Sequence, residues 1–216
     1  LRCGTWKSKC GSAIRSSSIP KERGSVADTL TPPPRLSPFA GLLAETASDS
    51  SPGVILTPRI LDQVQIDCRP DRAGAIALAL PVAGRAVSHE DFRLLSLAPG
   101  RWMVIAADRP DLADRIRALI GRVPAAVVDQ SHGRATLRLM GPAARDVLAA
   151  GTGIDLHPRV FAPDCVASTA LFHVPVTIDR RHGTSTFDIH MARGYARSLA
   201  ERLIGAGRQY GVAVEA

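Results

Sequence analysis

The chain has 216 residues and a formal charge of +7, a length that admits one large domain or two small ones and lets roughly 70% of the unfolded surface be buried. Its longest apolar runs, such as residues 75–82, fall far short of the roughly 20 residues a bilayer-spanning helix needs. The positive charge excludes little by itself, because it sits at one end: residues 1–35 hold seven Lys or Arg against Glu22 and Asp28, whereas the remainder carries 20 basic and 18 acidic residues and has little electrostatic reason to bind polyanions.

In chain order, residues 1–35 come first. They are rich in Ser, Pro and basic side chains, include Pro32-Pro33-Pro34, and hold all three lysines, Lys7, Lys9 and Lys21. Without apolar periodicity this basic tail is expected to be disordered, and it lacks the apolar centre of a secretory signal. Residues 36–216 are expected to form the folded body, in sub-units of about 60–130 and 134–216. Cys3, Cys10, Cys68 and Cys165 form no Cys-x-x-Cys pair, so they read as free thiols of a cytoplasmic protein.

Over residues 63–68, Val64, Ile66 and Cys68 alternate with Gln63, Gln65 and Asp67, the period of a half-buried strand. After Pro70, the Ala- and Leu-rich stretch 71–80 reads as helix. Residues 92–97 and 102–106 are apolar runs about Pro99-Gly100 and predict a hairpin. Leu112, Ile116, Leu119 and Ile120 mark one stripe of a helix that Gly121 ends, and 125–130 follows as a strand. Strand, helix, strand, strand, helix, strand is the split order of a ferredoxin-like unit.

That order then recurs. A strand at 135–140, a helix at 142–150, strands within 166–178 and at 184–190, and a helix from 194 to 210 are expected. In the last helix Tyr195, Leu199, Leu203 and Ile204 form the buried stripe, opposed by Arg197, Glu201, Arg202 and Arg208, and residues 211–214 close the sheet. The fold class is therefore α+β, two ferredoxin-like βαββαβ units packed together.

No complete catalytic, cofactor-binding or metal constellation emerges. Asp129, Ser131 and His132 have the residue types of a hydrolase triad at the wrong spacing, and Asp129 and Ser131 are read as capping the turn into Gly133. His157, His173, His182 and His190 are scattered and read as solvated, because a metal would need a third convergent ligand. The glycines of Gly151-Thr152-Gly153 and Gly205-Ala206-Gly207 follow or interrupt helices, whereas a phosphate loop opens one after a strand. Asp108, Asp111 and Asp114 complement a helix N-terminus, and Arg180-Arg181 reads as a solvated basic turn.

Asp129-Gln130-Ser131-His132 followed by Gly141-Pro142-Ala143-Ala144 resembles the folate-dependent aminomethyltransferases and their relatives. Within that superfamily the chain is most similar to the gamma-subunit family of heterotetrameric sarcosine oxidases. The specific string is Asp155-Leu156-His157-Pro158-Arg159-Val160-Phe161-Ala162-Pro163, with Cys165 and Thr169, preceded by Leu97-Ala98-Pro99-Gly100-Arg101-Trp102-Met103-Val104. The resemblance implies an aminomethyltransferase-like fold and a non-catalytic subunit of a complex that oxidatively demethylates sarcosine to glycine. The one-carbon unit passes to tetrahydrofolate or leaves as formaldehyde, and hydrogen peroxide forms. It further implies alpha, beta and delta partner subunits, with FAD, FMN, NAD, zinc and tetrahydrofolate held by them and none by this chain.

Two departures qualify it. Where the aminomethyltransferases carry a carboxylate pair, this chain reads His173-Val174-Pro175-Val176-Thr177-Ile178-Asp179. Cys165 falls near the Lys-Gly-Cys motif of a folate-binding iron–sulfur assembly factor, but Pro163-Asp164-Cys165-Val166-Ala167 matches little else of it, so Cys165 is read as a buried thiol. A related N-methyl amino acid dehydrogenase subunit and a stand-alone folate-binding one-carbon protein are the alternatives. Exposed apolar residues within 161–172 are expected to meet the partners.

Overall fold

Alternating apolar and polar residues decide which strands form and which faces they bury. The computed structural model describes residues 36–39, 52–183 and 185–215; the basic tail lies outside these. In chain order the strands are β1 (Val54–Arg59), β2 (Asp62–Cys68), β3 (Ala86–Ser88), β4 (Arg93–Ala98), β5 (Arg101–Ala106), β6 (Ala125–Asp129), β7 (Arg134–Met140), β8 (Val166–Leu171), β9 (Val174–Arg180), β10 (Phe187–Ala192) and β11 (Val212–Val214). The helices are α1 (Pro70–Ala73), α2 (Leu112–Ile120), α3 (Ala144–Ala149) and α4 (Ala196–Gly207).

One sheet has the order β3-β4-β5-β2-β6. The link from β2 to β4 straddles β5, and that from β5 to β6 straddles β2, each neighbour being antiparallel. This is the split ferredoxin-like arrangement, with β3 added at one edge. Val64, Ile66, Leu94, Trp102 and Val104 bury one face under Leu112, Ile116 and Ile120 of α2.

The other sheet has the order β11-β1-β7-β10-β9-β8. It repeats the split pattern about β7, β9, β10 and β11, and β1, the first strand of the described body, is inserted between β11 and β7. Leu137, Leu139, Ile189, Met191 and Ile178 bury its outer face against Val147, Leu148, Leu199 and Leu203 of α3 and α4. The two sheets meet through their remaining faces, where Leu95, Met103 and Ile105 form one buried cluster with Val166. The architecture is α+β: two ferredoxin-like units packed sheet to sheet, helices outermost.

Several expectations need correction. The helix at 71–80 shrinks to Pro70–Ala73: Gly74 caps it, Ile76 drops into the core, and the Trp102 indole donates to the Pro81 carbonyl at 3.0 Å, so packing overrides local Ala propensity. The span 166–178 resolves into β8 and β9, joined by Phe172 and His173, whose φ of 49° and 68° belong to a tight hairpin turn usually built from Asn and Gly. Tyr195, expected in the buried helical stripe, lies half-exposed in a preceding 3-10 turn; Ala196 and Ala200 fill the stripe with the leucines.

Pro99-Gly100 forms the β4–β5 turn as expected, and Gly100 has φ +77°. A Cβ there would lie 2.5 Å from the Cys68 carbonyl oxygen. Gly100→Ala is therefore expected to cost about 2 kcal/mol from handedness strain alone, with the clash added. The thermal midpoint of the isolated chain would fall by roughly 5 °C or more; an unchanged midpoint would contradict this turn geometry.

Candidate functional site

The inner faces of the two sheets carry polar side chains where a core would carry apolar ones. On β7, Thr136 and Arg138 alternate with Leu137 and Leu139; on β10, Asp188 and His190 alternate with Ile189 and Met191; on β9, Thr177 and Asp179 alternate with Val176 and Ile178. Register aligns these positions in two rows. Arg138, Asp188 and Asp179 lie across from one another, and Thr136, His190 and Thr177 form the next row. The second sheet covers both rows, so all but Arg138 are buried.

Two carboxylates side by side on adjacent strands repel, and each is matched by its own arginine. Asp179 accepts two bonds from Arg93 of β4, at 2.7 and 2.8 Å. Asp188 accepts two from Arg138, at 2.7 and 2.8 Å. Arg181 lies 3.4 Å from Asp179 and 3.7 Å from Asp188. Arg93, whose side chain is 6% exposed, also donates to Asp164 at 2.9 Å and to Ser88 at 2.8 Å. Burial alone would raise the Asp188 pKa, but the Arg138 hydrogen bond and the surrounding positive charge hold it below the usual carboxylate range. Burial would likewise lower Arg93, and its bonds to Asp179 and Asp164 more than reverse this. Paired bidentate bonds of this kind fix one geometry between the sheets.

In the second row Thr136 links the units: its hydroxyl oxygen accepts from Gln63 Nε2 at 3.1 Å and lies 2.8 Å from His190 Nδ1. His190 is fully buried. Burial, first, pushes its pKa down to about 4, Arg134 and Arg181 add to the fall, and Asp188 and Asp179 oppose it. It is therefore a neutral ring at neutral pH, sealed from solvent and poorly suited to taking protons from a substrate.

A cleft of about 280 Å³ opens at the edge of this seam, lined by Arg59, Ser88, His89, Arg93, Arg138 and Arg181 among others. Most of its charged groups are already engaged by partners within the protein, so the arrangement positions the two sheets firmly. The Ser88 hydroxyl in this cleft accepts a bond from Arg93 at 2.8 Å.

The structure separates the residues that sequence singled out. Asp129 Oδ1 accepts from the Ser131 backbone N–H at 2.8 Å, and Ser131 Oγ accepts from Gln63 N–H at 2.9 Å, which ties the turn to β2. His182 is exposed and lies 2.9 Å from Asp164. His190 is not solvated as expected, because the strand's second face meets another sheet. Arg180, also expected to be solvated, is 7% exposed at the end of β9 and donates to the carbonyls of Arg181, Gly183 and Thr186. Gly151 follows Ala150, the C-cap of α3, and its N–H reaches the Leu148 carbonyl. Cys165 is a buried free thiol, contacted by Arg85 Nη1 at 3.2 Å. Phe161, Val166 and Leu171 are buried, so they serve the core and offer no apolar surface of the expected kind.

Sequence reasoning passed over Gln63, Arg93, Thr136, Arg138, Asp164 and Asp188. A signal was available: three consecutive sheet strands each carry polar residues at every second place, with arginines and aspartates in near balance. Such a face is read as solvent until a second sheet is known to cover it.

Comparison with known proteins agrees with this architecture. The family model described as sarcosine oxidase, gamma subunit family, matches residues 70–206. The sarcosine oxidase subunit gamma of an Arthrobacter species is 35% identical over 159 residues, covering 68% of this chain and 77% of that protein. Its counterpart from Corynebacterium sp. strain P-1 is 35% identical over 156 residues, with the same coverage. Among solved structures, a chain of heterotetrameric sarcosine oxidase from Corynebacterium sp. U-96, in complex with pyrrole 2-carboxylate, superposes with a TM-score of 0.71 at 28% identity, over 84% of this chain and 99% of that one. Aminomethyltransferase T of the glycine cleavage system from Bartonella henselae shares the fold, with a TM-score of 0.59 at 22% identity over 76% of this chain and 48% of that one. With two ferredoxin-like units, the 155–163 string and a match through most of the body, the chain belongs to the sarcosine oxidase gamma subunit family.

Proposed function

We propose that the chain is the gamma subunit of a heterotetrameric sarcosine oxidase and works in the cytoplasm beside alpha, beta and delta chains, supplying contact area and no reacting group. The complex oxidises the N-methyl group of sarcosine to yield glycine. The one-carbon unit passes to tetrahydrofolate or, on hydrolysis, leaves as formaldehyde, and molecular oxygen takes the electrons to become hydrogen peroxide. FAD, FMN, NAD, zinc and tetrahydrofolate reside in the other chains.

The reading is carried by the match to almost the whole of one chain in a solved heterotetramer of this name. A seam whose strong polar groups are spent on one another supports a scaffolding role. Among the described residues no helix is long and apolar enough to cross a membrane. The test is to produce the chain alone and together with the alpha, beta and delta chains of a heterotetrameric sarcosine oxidase. The expected result is no flavin absorbance and no sarcosine-dependent peroxide from the chain alone, with both from the complex. Leaving the chain out should lower the yield of intact complex. Turnover of an N-methylated amine by the purified single chain would overturn the reading.

A further inference from the structure

The string 155–163 has no part in the seam, yet the structure holds it in a defined place. Phe161 is buried and stacks on Phe187, ring centroids 6.5 Å apart. The next residue back, Val160, is 60% exposed, and its carbonyl accepts from the Cys165 thiol at 3.7 Å. Arg85 Nη1 reaches the same sulfur, and Val82, 74% exposed, forms the turn that leads into Arg85. Two large aliphatic side chains thus stand in solvent beside the exposed Arg85 and Arg159.

Behind them the ring of Phe187 carries two guanidinium groups, those of Arg180 at 4.8 Å and Arg145 at 5.6 Å from its centroid. Arg180 Nε and Arg145 Nη1 are buried and meet no hydrogen-bond acceptor. In the seam, Arg93, Arg138 and Arg181 each have a carboxylate within 4 Å. Among the described residues Arg85, Arg145, Arg159 and Arg180 have none, and the nearby Asp164 and Asp155 are committed, to Arg93 and His182 and to the His157 backbone. Burial and the adjacent Arg145 charge weaken the hold of Arg180 on its proton. A partly desolvated cluster of positive charge with no internal counter-charge gains most from an anion brought to it.

We propose that this end of the molecule, Arg85, Arg145 and Arg159 around the exposed Val160 and Val82, docks a carboxylate-rich surface of another subunit of the oxidase complex. The proposal rests on the reading of the chain as a subunit. Aliphatic contact at the centre with arginines about it is the composition that protein interfaces favour, and the missing carboxylates specify the sign of the partner. Nothing in the near-neutral body as a whole would draw a polyanion to this end in preference.

The experiment measures assembly of the full complex with wild-type chain, with Arg85→Glu/Arg159→Glu, and with Arg202→Glu/Arg208→Glu, which reverses the same charge on the exposed face of α4 and the 3-10 turn after it. All reversed positions are exposed, so the isolated variants are expected to melt as wild type does. The first double variant should weaken assembly about tenfold or more and flatten its salt dependence, while the α4 variant assembles normally. Arg145→Gln should weaken assembly in the same direction. Wild-type affinity in the first double variant would overturn the proposal. So would dimerisation of the isolated chain, or binding of single-stranded DNA to it, through the same arginines. If the wild-type chain itself fails to assemble, the subunit reading falls first and this proposal with it.

Discussion

Asp179→Ala is expected to lower the unfolding free energy of the isolated chain by about 3–5 kcal/mol, the usual cost of stranding one member of a buried ion pair. Arg93 would keep its place between the sheets with two of its four side-chain hydrogen bonds removed. Asp164, its other acidic partner, lies at the rim and cannot replace a fully buried carboxylate. A loss of this size corresponds to a fall of roughly 10 °C in the thermal midpoint for a body of this length. Replacing both members, Arg93→Met with Asp179→Leu, should recover much of that loss, since an apolar pair of similar volume often matches a buried ion pair. The pair would then appear as a device that selects one docking of the two sheets. Urea unfolding of the single and double variants measures both effects. If Asp179→Ala costs less than about 1 kcal/mol, as exposed pairs do, water reaches the seam and the two sheets do not close as described.

Acid is expected to loosen the same seam before it protonates Asp188, whose pKa is held down by Arg138. The His190 pKa falls from an ordinary 6.5 to about 4 because the ring is buried. In the unfolded chain the ring binds a proton near its ordinary pKa, whereas in the folded chain it stays neutral. Between those two values the unfolded state therefore holds more protons, so stability rises with pH. The stabilisation is complete above about pH 6.5 and drains away as pH falls toward 4, by about 3 kcal/mol in all at 1.36 kcal/mol per unit. Asp188 acts lower down: its pKa is depressed, so its contribution is present above the usual carboxylate pKa and is lost only on further acidification. His190→Gln keeps a polar group near Thr136 but cannot titrate. It should flatten the stability profile between pH 4 and 6.5 while leaving the acid limb below pH 4. A variant profile parallel to that of wild type would show that His190 is hydrated in solution.

The one-dimensional pattern determined most of the secondary structure, because local rules govern it. The period-two alternation of β2, the Pro99-Gly100 turn, the α2 stripe closed by Gly121 and the long final helix were all legible from neighbours in sequence. The split order of elements then suggested two ferredoxin-like units, and the 155–163 string pointed to the family. Tertiary structure decided what depends on the other side of a face. Thr136, Arg138, Asp188 and His190 alternate as residues of a solvated strand do, and only the second sheet turns them into a buried network. Strand β1 lies far along the chain from β7 and β11, the strands it pairs with, and residues 71–80 gave up helix because Ile76 and Trp102 found partners elsewhere. Alternation tells that a strand has two unlike faces; which of them meets water is fixed by contacts whose cost and reward lie in distant parts of the chain.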